Sequence, residues 1–252
     1  MQQVRSRVAL INGGSRGIGF ETARRLLAAN WSVCITGRKQ EPLDAAVAEL
    51  AQGGHSVMGV AGRSEDPAHQ ANAVRQVMER WSAIDLLVNN AATSPFLGEL
   101  VDASADQMER GFQVNVIAPW AWSKQVYNAH MRVHGGAIVN IASIGGTYPV
   151  RRVGLYNITK AALIHMTKQM ALEMAPGVRV NAVAPATIKT DFAKAKYEGR
   201  EQEVADQYPL KRMGTVEDVA KAIVQLVDGS LDWMTGQIVI LDGGASLIQG
   251  VK

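Results

Sequence analysis

Short apolar runs alternate with longer helical patterns along the whole chain. The first run, residues 7–12, reads as a buried strand because its four central residues are all apolar. Similar runs follow at 32–36, 56–61, 84–89, 137–142, 178–183 and 237–241. Helical patterns lie between them, up to about residue 29 and over 42–51, 67–81, 104–133, a stretch that starts near 156, and 216–227. Strands that alternate with helices, without hairpin turns, predict an α/β fold with a parallel sheet covered on both faces.

No repeat, low-complexity tract or linker interrupts this alternation. Residues 1–252 are therefore predicted to form a single domain. In such folds ligands bind at the carboxyl ends of the strands, near the point where the strand order reverses. The turns that follow the predicted strands are therefore where functional residues are expected.

The turn after the first strand is rich in glycine. Glycines at 13, 17 and 19 would allow a tight turn, close approach of the backbone to a phosphate, and close packing of helix on strand. The N–H groups at the start of the following helix would point towards the anion. The spacing is G-x-x-x-G-x-G rather than the more common G-x-G-x-x-G. A phosphate-binding loop is favoured, and a glycine-rich turn without a ligand is the alternative.

Tyr156 and Lys160 stand four residues apart at the start of an apolar, glycine-free run. On a helix both side chains would share one face, one turn apart. A nearby ammonium favours the phenolate, so Lys160 is expected to lower a tyrosine pKa that starts near ~10 and to make Tyr156 a general acid–base group. Ser143 ends the fifth predicted strand, where its hydroxyl could bond a substrate oxygen or could merely cap the next segment.

These residues occur in order with several other motifs, and together they resemble the short-chain dehydrogenase/reductase family. The matching positions are 12–19 (NGGSRGIG), 89–92 (NNAA), Asn115, Ser143, Tyr156 with Lys160, 181–185, and 235–237. The resemblance extends from about residue 5 to 247. It implies a Rossmann-type, doubly wound and mainly parallel seven-stranded sheet with helices on both faces, a nicotinamide cofactor, and reversible carbonyl–alcohol chemistry.

The resemblance also implies a role for each matching residue. The implied catalytic set is Asn115, Ser143, Tyr156 and Lys160, in which Asn115 would anchor a water of a proton relay and Lys160 would also hold the nicotinamide ribose. The implied cofactor contacts are Gly13, Ser15, Arg16, Gly17, Ile18, Gly19, Arg38, Asn90, Ala91, Tyr156, Lys160, Pro185, Ile188 and Thr190. A substrate lid is implied at about 188–213.

Charge at the end of the second strand indicates which cofactor is preferred. An NAD site places an acidic residue there, but residues 36–39 read Thr-Gly-Arg-Lys. Arg38, together with Arg16, could bind a 2′-phosphate through charge-assisted hydrogen bonds. NADP(H) is therefore preferred and NAD(H) stays possible, with a merely solvated Arg38 as the alternative.

Four positions depart from the family pattern. Asn12 replaces the usual Thr, although an amide can still tie down the loop, and Ala92 and Ala186 replace glycines. Arg63 stands where the family commonly has an Asp that receives the adenine amino group. That change puts ordinary adenine recognition in doubt and is expected to add a cation at the adenosine end of the site.

Composition narrows the choice of partners and compartment. The 26 basic and 23 acidic residues leave a small, scattered net charge of +3, which disfavours nucleic acid. Cys34 is the only cysteine, which excludes an internal disulfide framework and a cysteine-based metal site, and no histidines have metal-ligand spacing. No signal peptide or ~20-residue apolar span is recognised, so we expect a cytoplasmic protein without a membrane partner.

The sequence therefore favours an NADP(H)-dependent oxidoreductase that interconverts a carbonyl and a secondary alcohol. The most similar members are 3-oxoacyl-carrier-protein reductases and carbonyl reductases, which makes a ketone or an acyl thioester the expected small-molecule substrate. An NAD-dependent alcohol or steroid-type dehydrogenase, and a dinucleotide sensor without turnover, stay open. A homo-oligomer, dimer or tetramer, is expected, with Trp120, Trp122 and the methionines at 166, 170 and 174 as its contact surface.

Overall fold

The computed structural model describes residues 5–248, whose strands form one parallel sheet. The strands are β1 (Val8–Asn12), β2 (Ser32–Gly37), β3 (Val57–Ala61), β4 (Leu86–Asn89), β5 (Gly136–Ile141), β6 (Val178–Pro185) and β7 (Ile238–Leu241). Their order is β3-β2-β1-β4-β5-β6-β7, and every neighbouring pair is parallel. The chain reverses its direction of travel across the sheet at β1 and β4, which places the expected ligand crevice beside β1. The predicted seven-stranded, Rossmann-type fold is confirmed.

Helices cover both faces of this sheet. They are α1 (Gly17–Ala28), α2 (Gln40–Leu50), α3 (Pro67–Trp81), α4 (Ala105–Phe112), α5 (Ala118–Val126), α6 (Arg132–His134), α7 (Gly154–Met174), α8 (Lys194–Tyr197), α9 (Glu201–Asp206), α10 (Val216–Gln225) and α11 (Ala245–Ile248). In β1, Ala9 and Ile11 join the apolar cluster that contains α1, α2 and α10. Val8 and Leu10 join the opposite cluster, with α3, α5 and α7. Because both faces are buried, the strand reads as a continuous apolar run.

The helix predicted at 104–133 is continuous in direction but irregular in winding. A Ser104–Gln107 capping box starts α4, and π-helical turns at Gln113–Ile117 and Tyr127–Met131 separate α4, α5 and α6. Pro119 lacks the N–H that would bond the carbonyl of Asn115 four residues earlier, which disfavours regular α-helix at this point. Asn115 therefore lies in the first π-helical turn, and a regular helix is the wrong prediction there.

A row of buried amides crosses the three central strands. Asn12, Asn89 and Asn140 are paired in register on β1, β4 and β5. The Asn12 amide donates to Asn89 Oδ1 at 2.8 Å, Asn89 donates to Asn140 Oδ1 at 2.9 Å, and Asn140 donates to Thr167 Oγ1 on α7 at 2.9 Å. The side-chain Oδ1 of Asn12 in turn accepts the backbone N–H groups of residues 90 and 91 at 2.9 and 2.8 Å. The amide at position 12 thus ties down the loop after β4, as expected for this departure.

The two tryptophans predicted at a subunit contact have different environments. Trp122 is fully buried within the chain, and its indole N–H donates to the Ser64 carbonyl at 3.0 Å. It cannot reach a partner subunit, so the prediction is wrong for Trp122, whose position on the helix turns it towards α3. Trp120 is 47% exposed and lines a groove with Met166, Met170 and Met174.

Within residues 5–248, no helix combines the length and the apolar character needed to cross a membrane.

Candidate active site

A cleft of about 520 Å³ opens at the carboxyl ends of the strands. It is lined by most of the residues that the sequence singled out: Gly13, Ser15, Arg16, Gly17, Ile18, Arg38, Asn90, Ala91, Ser143, Tyr156, Lys160, Pro185, Ile188 and Thr190. Ala92 and Ala186, which replace glycines, line it as well. Two of the expected residues, Gly19 and Asn115, are absent from its wall. The parallel topology has therefore brought residues from five strand ends into one elongated crevice.

The glycine loop has the geometry of a phosphate cradle. Gly17 has a φ of +61°, which favours glycine, and α1 begins there without a side-chain cap from Arg16. The first N–H groups of α1 are therefore not taken by a capping side chain and suit an anion. A Cβ at Gly19 would lie 2.6 Å from the carbonyl oxygen of Gly13. Gly19 thus allows the helix to pack on the loop and acts behind the cleft wall.

Ser143, Tyr156 and Lys160 form the polar centre of the cleft. Ser143 follows β5 in an extended conformation, its hydroxyl accepts the Gly145 N–H at 3.2 Å, and it lies close enough to the Tyr156 phenol to favour the phenolate. Tyr156 and Lys160 lie on the first turns of α7, with the lysine Nζ 5.6 Å from the centre of the tyrosine ring. Ser143 therefore caps the next turn and also faces the cleft, so the capping role does not exclude a contact with substrate.

The expected depression of the Tyr156 pKa is wrong for the chain by itself. Burial raises the pKa of the Tyr156 phenol to about 12, and only the hydrogen bond with Ser143 opposes that rise. Burial also lowers the pKa of Lys160 to about 7, so the amine is only about half protonated at neutral pH. Its Nζ donates to the Ile141 carbonyl at 2.6 Å and is 2% exposed. A desolvated, partly neutral amine is a weak source of positive charge for the phenol.

Asn115 is fully buried behind the catalytic helix rather than on a helix surface. Its side-chain oxygen accepts the Thr93 N–H at 2.8 Å, and its amide donates to the Thr93 carbonyl and to Thr159 Oγ1 at 2.8 and 2.9 Å. Thr93 lines the cleft, and Thr159 precedes Lys160. The amide thereby links one wall of the cleft to α7.

Cationic side chains dominate the adenosine half of the cleft. Arg38 and Lys39 are exposed, and no carboxylate within the described residues lies within 4.0 Å of either. Arg16 forms an ion pair with Asp191 at 3.0 Å. The chain therefore presents Arg38 and Lys39 as free cations after β2, where the sequence predicted a 2′-phosphate contact.

The expected extra cation at position 63 is not part of the cleft. Arg63 Nε bonds Glu65 Oε1 at 2.8 Å, and Arg110 reaches the same oxygen at 2.6 Å. These two hydrogen bonds hold the pKa of Glu65 at about 2 against the opposing effect of burial. Glu65 and Arg110 line the cleft, and Arg63 lies directly behind them as an ion-pair partner of Glu65. The cation at position 63 is therefore near this end of the cleft, but it is neutralised by Glu65.

Several residues of the cleft wall were not predicted from sequence. They are Glu65, Thr93, Arg110, Thr187, Phe192 and Lys196. The Phe192 ring lies 6.0 Å from the ring of Tyr156, and Lys196 is on α8. No spacing identifies these side chains, because each reaches the cleft through the path of a loop or through an ion pair distant in sequence. Among residues 5–248, no group of three or more His, Cys, Asp or Glu side chains is arranged to hold a metal ion.

Comparisons with known proteins agree with this geometry. The family model named Enoyl-(Acyl carrier protein) reductase matches residues 13–246. The rabbit (Oryctolagus cuniculus) protein called Dehydrogenase/reductase SDR family member 4 is 36% identical over 246 residues, which cover 95% of this chain and 94% of the relative. A short-chain type dehydrogenase/reductase from Mycobacterium ulcerans superposes with a TM-score of 0.90 at 31% identity, covering 96% of this chain and 90% of the other. ElxO with NADP bound superposes with a TM-score of 0.89 at 29% identity, covering 96% and 99%. With its seven-stranded sheet and its Ser–Tyr–Lys cleft, the chain belongs to the short-chain dehydrogenase/reductase family and is an NAD(P)-dependent oxidoreductase.

Proposed function

We propose that the protein uses NADP(H) to interconvert a carbonyl and a secondary alcohol, and that its substrate is a ketone or a 3-oxoacyl thioester. The observation that carries this proposal is the meeting of Ser143, Tyr156 and Lys160 in one cleft. A phenol that hydrogen bonds with a serine hydroxyl can hold a carbonyl oxygen and give it a proton.

The residues of the cleft divide the chemistry between them. The cofactor, when bound, supplies or accepts the hydride. Tyr156 donates the proton to the substrate oxygen during reduction, and Ser143 holds that oxygen by a hydrogen bond. Burial raises the pKa of Tyr156 and keeps the phenol protonated at neutral pH, which is the form that can donate a proton to the substrate oxygen. Protonated Lys160 would stabilise the phenolate left behind.

The walls of the cleft fit a dinucleotide with a 2′-phosphate. The glycine loop offers uncapped N–H groups to the pyrophosphate, and Arg38 with Lys39 offers positive charge at the end of β2, where an NAD site has an acid. ElxO, solved with NADP bound, supports the same preference. NAD(H) binding stays possible at lower affinity, since only the interaction with the 2′-phosphate would be lost.

The remaining expectations belong to the same proposal. We infer one domain over residues 1–252, supported by the single sheet, and a lid at about 188–213, supported by the two short helices α8 and α9 and the contact of Phe192 with Tyr156. A homo-oligomer is supported by the apolar groove beside Trp120. A cytoplasmic location is supported by the single, buried thiol of Cys34.

Tyr156→Phe tests the proposal directly. Purified protein is supplied with NADPH and a panel of ketones, aldehydes and acyl thioesters, and loss of nicotinamide absorbance is followed. The variant is expected to lose about 10²- to 10⁴-fold in turnover because its proton donor is gone, while its NADPH dissociation constant stays within about twofold. Tyr127→Phe, in the groove outside the cleft, is the matched control and should keep wild-type turnover.

Three outcomes would decide against this function. Turnover of Tyr156→Phe within a few-fold of wild type would remove the tyrosine from the chemistry. Tight NADPH binding by wild type with no turnover of any carbonyl, and none of any alcohol with NADP⁺, would instead favour the dinucleotide sensor. Faster turnover with NADH than with NADPH would favour the NAD-dependent dehydrogenase.

A further inference from the structure

A lysine on the lid faces the cleft without an acidic partner. Lys196 lies on α8 and is one of the residues that line the cleft. Its neighbours are paired, since Lys194 contacts Glu198 at 3.1 Å and Arg200 contacts Glu203 at 3.7 Å. No carboxylate within residues 5–248 lies within 4.0 Å of the Lys196 ammonium. The lid thus directs one uncompensated positive charge towards the cleft.

The carboxylates of the cleft wall cannot neutralise this charge. Only two acidic residues of the described chain line the cleft, and both already have arginine partners. Asp191 bonds Arg16, and Glu65 bonds both Arg63 and Arg110. The Lys196 side chain is exposed, although partial desolvation lowers the pKa of its amine, and a bound anion would stabilise the protonated form.

The position of Lys196 in the fold favours the substrate as the source of that anion. Arg38 and Lys39 follow β2, whereas the lid follows β6, four strand spacings or about 19 Å across the sheet. The strand that leads into the lid thus ends far from the strand that carries Arg38 and Lys39. Phe192, four residues before Lys196, lies 6.0 Å from the Tyr156 ring, so this part of the lid covers the reacting phenol. The pyrophosphate is the competing anion, because Asp191 at the start of the lid reaches Arg16 in the glycine loop.

We propose that Lys196 binds an anionic group of the substrate, a carboxylate or a phosphate, so that the enzyme prefers negatively charged carbonyl compounds. This inference rests on the proposed reduction of a carbonyl at Tyr156 and names its substrate class. The ion pair forms at a partly exposed site, so its contribution to kcat/KM is expected to be about tenfold or more at low salt and to shrink as salt rises.

The test compares oxo acids with their methyl esters, which differ in charge and little in shape. A series from 3-oxobutanoate to 6-oxoheptanoate varies the distance between carbonyl and carboxylate. Wild type, Lys196→Met and the control Lys194→Met are measured for kcat/KM with NADPH. Lys194 lies on the same helix but outside the cleft and is paired with Glu198. We expect wild type and Lys194→Met to prefer at least one oxo acid over its ester by about tenfold in kcat/KM. In Lys196→Met this preference should disappear because kcat/KM falls for the oxo acid and stays unchanged for the ester.

A second arm requires no turnover. Binding of the corresponding hydroxy acids and hydroxy esters to the NADPH complex, which cannot oxidise them, is measured by calorimetry, and NADPH dissociation constants are measured separately. Equal binding, or undetectable binding, of acids and esters by wild type would overturn the inference even if the enzyme reduces other carbonyls. A weaker NADPH affinity in Lys196→Met with an unchanged acid-to-ester ratio would assign the lysine to the cofactor phosphates and would also overturn it. Complete lack of turnover with intact discrimination in binding would count against the proposed reaction but not against the anion site.

Discussion

Removal of the Arg38 guanidinium should weaken NADPH binding and leave NADH binding almost unchanged. Arg38 and Lys39 lie at the end of β2 without a carboxylate partner among the described residues, whereas Arg16 is paired with Asp191 and Arg63 with Glu65. The 2′-phosphate exists only in NADPH. The change Arg38→Ala therefore alters one cofactor's affinity and not the other's.

The expected loss of NADPH binding free energy in Arg38→Ala follows from the exposure of Arg38. A hydrogen bond to a charged group contributes about 1.5–3 kcal/mol, but an exposed ion pair contributes about 1 kcal/mol or less. Arg38 is exposed and could form both kinds of contact with a phosphate, so a loss of about 1.4–2 kcal/mol is reasonable, or about ten- to thirtyfold in the dissociation constant. Added salt should reduce the difference between variant and wild type, because screening weakens exposed charge pairs.

Fluorescence titration of both cofactors at low and high salt measures this effect. Arg75→Ala is the control, since that arginine is exposed on α3 and does not line the cleft, and its cofactor affinities should stay at wild-type values. Arg38→Ala combined with Lys39→Ala shows whether the neighbouring lysine shares the phosphate. Equal affinity of wild type for NADH and NADPH would refute the reasoning, as would a loss in Arg75→Ala equal to that in Arg38→Ala.

Three further expectations concern assembly, the thiol and stability. Wild type should sediment as a dimer or tetramer at micromolar concentration, and Trp120→Glu should sediment as a smaller species. A monomeric wild type would contradict the expected assembly. Burial raises the pKa of the Cys34 thiol to about 12, so the native protein should resist a disulfide reagent at pH 8. The thiol should react once urea unfolds the protein. Rapid reaction of the native protein would be inconsistent with that burial. Burial lowers the pKa of His130 below 6.5, so the unfolded chain binds the proton more readily and the free energy of unfolding should fall as pH drops below 6.5. Urea unfolding at pH 7.5 and 5.5 measures this fall in the free energy of unfolding, which should be smaller in His130→Gln. An identical pH dependence in both proteins would exclude this histidine as a source of the effect.

The fold and the reactive residues were predictable because they depend on local patterns. Buried parallel strands read as apolar runs, and the spacing between Tyr156 and Lys160 needs only a helix to place them together. Ser143 at the end of β5 needs only the parallel sheet. These features do not depend on the conformation of the loops, and so they could be inferred from the sequence.

The features that sequence did not predict depend on contacts between distant segments. The partner of Arg16 is Asp191, 175 residues later, and Glu65 binds both Arg63 and Arg110, the second of which is 45 residues away. The Tyr156 pKa rises because the chain buries both the phenol and its lysine, a degree of desolvation that spacing alone cannot reveal. The sequence shows which residues can carry a charge, but tertiary packing determines whether that charge is paired, desolvated or available to a ligand.

The amide row across β1, β4 and β5 has a consequence for how the sheet assembles. A strand that slipped by two residues would keep its apolar side chains facing the same layers, so hydrophobic burial alone discriminates weakly against that error. The slip would, however, separate Asn12 from Asn89 or Asn89 from Asn140 and leave buried amide groups unbonded, at about 1–3 kcal/mol for each group. Hydrogen bonding between the amides thus stabilises the correct alignment of the three central strands over the slipped one. Since the same asparagine at position 12 holds the loop that flanks the cleft, only a correctly aligned sheet completes the nucleotide site.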